Sequence, residues 1–106
     1  MLQLAALRFH IVNEFFAALG KRWRIAAERR GARIAEPALD PTVAEEILEL
    51  ARVAAHTQER RFAPLAAYMA GIAAERLRQA SAADAPEIAK YLKEVREELE
   101  RQEPAE

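Results

Sequence analysis

Few residues in this chain have side chains suited to chemistry. It has two histidines and no cysteine, and Ser81 is its only serine. Without cysteine there is no disulfide, no thiolate nucleophile and no sulfur-ligated metal. His10 and His56 are far apart in sequence, and neither belongs to an HExxH or carboxylate-histidine cluster, so no metal site is expected. Ser81 stands at an expected helix boundary, where capping accounts for it. No glycine-rich phosphate loop is present. What remains is one polar cluster in "ARVAAHTQERRFAPLAAYMAG", residues 51–71. Arg52 and His56 are four residues apart and fall on one helix face, well away from the apolar stripe. Arg60 and Arg61 follow, just before Pro64, with no Ser, Thr, Asp or Asn there to cap the helix that Pro64 opens. Open amides beside arginines would suit an anion or a phosphate. Arg52, His56, Arg60 and Arg61 are therefore the candidate ligand- or partner-binding residues. No catalytic residue can be named, and the chain reads as non-enzymatic.

These four residues need helices to hold them. Alanine supplies 25 of the 106 residues, against three glycines, and Ala, Leu, Glu and Arg favour helix. No alternating run argues for a strand. A chain of this length reads as one domain, residues 1–106. The spacing predicts a long first helix over residues 2–30, with Leu4, Ile11, Val12, Phe15, Leu19, Trp23 and Ala26 on one face and Gln3 and His10 opposite. Unbroken it would run about 43 Å, long for so small a domain, so either it breaks at Gly20 or its ends pack on another subunit. A second helix follows Asp40-Pro41, a capping pair, and runs to about 58 with a buried stripe of Val43, Ile47, Leu50, Ala51 and Ala54. A third, about 63–80, is expected to bury Leu65, Tyr68, Met69 and Ile72. The last, about 85–102, starts at Asp84 and Pro86. It carries Ile88, Leu92, Val95 and Leu99 at the 4-3-4 spacing of a coiled-coil seam. The expectation is an all-α irregular four-helix bundle, with the last helix either used for dimerisation or docked against its own bundle, and a frayed tail after Gln102.

Charge narrows the function. The net charge is −1, which argues against generic nucleic-acid binding; "KRWR", residues 21–24, is too short a basic patch to change that. Residues 1–36 carry a net +4 and residues 84–106 a net −4, so the two ends can attract each other within or between chains. Arg8 interrupts the first apolar run too early for a signal peptide. The longest uncharged stretch, 62–74, is 13 residues, too short to span a bilayer. A cytoplasmic protein is expected, with a second copy or another protein as partner and no cofactor, nucleic acid or membrane.

The segment "DPTVAEEILELARVAAHTQERRFAPLAAYMAG" resembles a family of small bacterial helical domains of unknown function, DUF6457. Asp40, Ile47, Leu50, Ala51, Arg52, His56, Glu59, Arg60, Pro64, Leu65 and Gly71 are among the residues that carry the resemblance, which covers roughly residues 14–76. The family often has Pro after its Glu-Arg, where this chain has Arg61-Phe62, and Thr-Thr where it has Ala66-Ala67. Such domains resemble ones that occur alone or joined to molybdenum-cofactor guanylyltransferases. The resemblance implies an accessory role near cofactor maturation, not a reaction. Against it stands a rival from the residues alone: a small-molecule binder for a phosphate, nucleotide or phosphorylated cofactor, using Arg60, Arg61 and the start of the third helix.

Overall fold

A computed structural model of the chain describes residues 2–102, with side chains from residue 14 onward. The expectations for the side chains of Gln3, Leu4, Phe9, His10, Ile11 and Val12, and for the tail after Gln102, lie outside the described residues. Among the described residues there are four helices and no strand: α1 (Leu2–Arg29), α2 (Pro41–Thr57), α3 (Phe62–Ser81) and α4 (Ala85–Glu100). The all-α, four-helix expectation holds. The chain divides into two compact units, Met1–Leu39 and Asp40–Glu106.

In the first unit α1 runs through Gly20 without a break. The glycine is there for a different reason. The connection after α1 folds back, and a Cβ at position 20 would run into the Pro37 carbonyl. Arg24 ties the connection down: its Nε donates to Glu36 at 3.1 Å and its Nη1 to Glu28 at 2.8 Å. The hydrogen bond to Glu36 holds the Arg24 guanidinium above its already high ordinary value. Gly31, at φ +79, closes the helix. Its N–H donates to the Glu28 carbonyl, and that of Ala32 to Ala27, the paired bonds of a Schellman ending. Phe15 and Trp23 remain exposed, although they sit on the expected apolar stripe.

The second unit is a three-helix arrangement with α2 packed on both α4 and α3, and α3 and α4 touching less. Asp40 caps α2: its Oδ2 accepts from the amides of Thr42 and Val43 at 3.0 and 3.1 Å. Asp84 does the same for α4, accepting from Glu87 at 3.0 Å. Ala82, in a left-handed conformation (φ 55), turns the chain between α3 and α4. Leu50, Ala70, Ala83, Ile88 and Leu92 form the buried cluster. Of the stripe expected on α2, Leu50 and Ala54 are buried and Val43, Ile47 and Ala51 half-buried; Val53 and Thr57 are buried as well. Two neighbours packed on α2 widen its buried arc beyond a single stripe. The Thr57 hydroxyl is satisfied by donating to the Val53 carbonyl at 2.8 Å. Arg96 of α4 reaches across to Glu46 of α2, Nε to Oε2 at 3.0 Å, and also pairs with Glu100. The Glu46 contact is the main reason its guanidinium is held above the ordinary value.

One open alternative is decided and one expectation needs correction. The last helix does not keep its seam for a partner: Ile88 and Leu92 are buried, Leu99 packs on the same core, and only Val95 is exposed. The third helix is turned the other way from its expected burial. Its inward face is Ala70, Ala74 and Leu77, while Leu65, Tyr68 and Met69 are 64, 72 and 70% exposed. Ile72 is half-buried. Methyl side chains let α3 approach α2 closely, which a face of Leu, Tyr and Met would prevent.

Candidate functional site

Arg52 and His56 project from the exposed face of α2, one helical turn apart. Arg52 is already partnered. Its Nε and Nη2 both donate to Glu49 Oε2, at 3.1 and 2.9 Å, along the same helix. Such an exposed i,i+3 pair is worth little and is easily exchanged for a partner's carboxylate. His56 is exposed in the last turn of α2.

The next five residues, 58–62, are all exposed. Arg61 is the N-cap of α3 and no side chain caps that helix. The Arg61 Cζ lies 5.9 Å from the centre of the Phe62 ring, within cation–π reach. Its Nη2 is 3.4 Å from Glu59 Oε2. The amides that motivated an anion site are occupied. Phe62 N–H donates to the Glu59 carbonyl at 2.9 Å and Ala63 N–H to that of Arg60 at 3.2 Å, and Pro64 has none to offer. A tight turn has satisfied two of the amides at the helix start that sequence left open.

No hydrogen bond or ion pair among the described residues joins Arg52 or His56 to Arg60 or Arg61. The four residues are placed by helix spacing and by the turn, not by a shared network. Among the described residues no group of three or more His, Cys, Asp or Glu could hold a metal. No helix there is long and apolar enough to cross a membrane. In "KRWR" the Arg24 guanidinium is committed to Glu28 and Glu36, which leaves that patch less basic than it reads.

The surface that sequence reasoning missed lies directly after the turn. Phe62, Leu65, Met69 and Ile72 follow one another at 3-4-3 spacing on one side of α3, with Tyr68 beside them. The spacing was readable in the sequence, but large apolar residues were assigned to the core because nothing local says which face of an apolar helix turns inward.

Four helices, a small core and an exposed mixed surface define a small all-α domain with no group among the described residues that could hold a metal ion. The family described as "Domain of unknown function (DUF6457)" matches residues 11–106, and the chain belongs to it. That match extends through α4, beyond the segment on which the resemblance first rested. Comparison with curated proteins and with solved structures gave no match.

Proposed function

We propose that this domain is a non-enzymatic accessory module that docks another protein through the exposed face of α2 and the α2–α3 turn. Arg52, His56, Arg60 and Arg61 are its polar contacts. The observation that carries the reading is the turn itself, where a guanidinium rides on an exposed aromatic ring next to a second arginine. Arginine and aromatic side chains are the types most enriched at protein interfaces and among their energetic hot spots. The partner we name is a molybdenum-cofactor guanylyltransferase, on the strength of the sequence resemblance alone. The phosphate-binding rival has less support, since the amides at the start of α3 are bonded to the turn.

The test is direct binding of the purified chain to a molybdenum-cofactor guanylyltransferase, with the wild type and the Arg52→Ala/His56→Ala and Arg60→Ala/Arg61→Ala pairs compared by calorimetry. Each pair is expected to weaken binding about tenfold or more, the loss typical of a hot-spot side chain. Equal affinity for all three proteins would sink the surface assignment, and no binding by the wild type would sink the partner. A melting shift with inorganic phosphate or a pterin nucleotide, abolished by Arg60→Ala/Arg61→Ala, would favour the rival.

A further inference from the structure

We infer that the exposed ridge of α3 is a self-association surface on which two copies of this chain pair antiparallel, α3 against α3. This goes beyond the docking surface of α2 and its turn, with which it shares Arg61 and Phe62, and it is tested on the chain alone, without the other protein.

Phe62, Leu65, Met69 and Ile72 recur at 3-4-3 spacing, the interval that keeps side chains facing a partner helix along a seam. At 100° per residue the seam lies roughly 120° from the buried Ala70, so it is not an extension of the core. Three of its large neighbours in this strip, Leu65, Tyr68 and Met69, are more than three-fifths exposed. An isolated exposed Leu needs no explanation, but a strip of five large apolar residues on one helix does.

The occupant follows from what the ridge matches, and it matches itself. Place Leu65 of one copy against Met69 of a second, antiparallel, and Phe62 falls opposite Ile72 at both ends. The two Tyr68 rings then meet across the twofold axis, and Arg61 faces Glu75 of the other copy, twice. This is the reciprocal pattern an isologous interface requires. A parallel pair does worse: it sets Arg76 against Arg76 in the seam and faces Arg61 with Ala66. The surface is shaped for the antiparallel choice as well. Met69, Ile72, Ala73, Arg76, Leu77 and Tyr91 line an open notch at the far end of the ridge, which is where the second copy's Phe62 would land. Arg61 and Glu75 are now held by exposed local partners, Glu59 and Arg78. Exchanging them across the interface sets orientation more than affinity.

The ridge from 62 to 76 is only about 21 Å long at 1.5 Å per residue. One helix pair of that length buries less than the roughly 800 Å² per partner of a standard interface. The dimer is therefore weak and concentration-dependent, and it is measured by sedimentation equilibrium of the full chain over a wide concentration range. The wild type is expected to shift from a mass near 11.9 kDa towards twice that value. Met69→Glu, at an exposed position, is expected to weaken dimerisation about tenfold or more, as loss of a central apolar anchor does, with helicity by circular dichroism unchanged. Phe62→Ala should act in the same direction. Arg61→Glu alone and Glu75→Arg alone each place like charges at both ends and should weaken the dimer severalfold. An equimolar mixture of those two variants restores opposite charges at both ends and should dimerise better than either one alone. A wild type that stays monomeric throughout overturns the inference, as does a dimer indifferent to Met69→Glu. A mixture no better than its components overturns the antiparallel register.

Discussion

The third and fourth helices carry nearly the same sequence signal and meet opposite fates. Each presents large apolar residues at coiled-coil spacing: Phe62, Leu65, Met69 and Ile72 on α3, and Ile88, Leu92, Val95 and Leu99 on α4. On α4 the seam is buried at Ile88 and Leu92, the latter only 3% exposed, and opens at Val95. On α3 it is the outer face. The difference lies in what surrounds each seam. Apart from Ala85, Pro86, Ala89 and Tyr91, the rest of α4 is Lys, Arg and Glu, so it has a single face it can bury. α3 is apolar nearly all round, and the bundle selects its alanine face, where helices can come close. A seam predicts that a helix has a face to bury; whether that face is buried in its own fold depends on whether the helix offers a better one.

That contrast can be broken by substitution. Leu92→Ala should cost about 2–5 kcal/mol as a large-to-small change in a core, whereas Met69→Ala, measured in dilute solution, should stay within about 0.5 kcal/mol as a surface change does. Chemical denaturation of the two variants decides it, and equal losses would mean that α3 and α4 are not distinguished as described. Arg96→Ala should follow at about 1–2 kcal/mol, between the exposed and buried limits for an ion pair, because it removes the tie to Glu46 where both side chains are less than one-fifth exposed. An unchanged midpoint would reduce that tie to decoration. Gly20→Ala sets two effects in opposition. Alanine favours the helix by about 1 kcal/mol, yet its Cβ displaces the Pro37 carbonyl. The expected outcome is faster amide exchange over residues 32–39 with α1 intact; unchanged protection there would show that the connection yields at no cost. The smallest effect belongs to Arg78→Ala. The hydrogen bond from Arg78 holds the Glu75 carboxyl below its ordinary value, so the variant should raise it, as followed by NMR titration. A depressed carboxylate contributes stability at neutral pH that fades as pH falls through its folded value. This pair is too exposed for that to matter much to the fold.

The sequence was most informative where a local rule decides. Asp40-Pro41 and Asp84 mark helix starts because their carboxylates have only nearby amides to accept from, and those helices begin where expected. The arginine turn could be placed, but not its hydrogen bonds: the carbonyls of Glu59 and Arg60 reach the amides of Phe62 and Ala63 only after the chain has turned. Gly20 pointed to a break because a glycine inside a helix usually weakens it. Its real cause, a chain segment seventeen residues away pressed against its Cα, is invisible to local reasoning. The orientation of α3 was lost for a similar reason. Hydrophobicity ranks Leu65 and Met69 above Ala70, while close approach between helices ranks them in reverse.

The order of packing in the second unit also bears on how it folds. The main neighbour of α2 is α4, not the α3 that follows it in the chain. Residues 58–84 must therefore be looped out before the largest interface can close, an entropic cost met before the contacts that offset it. A nascent chain ending at Ser81 would hold α2 with half of its apolar face uncovered. The unit should thus become protease-resistant only once α4 has left the ribosome, and its refolding should be slower than that of a simple helical hairpin.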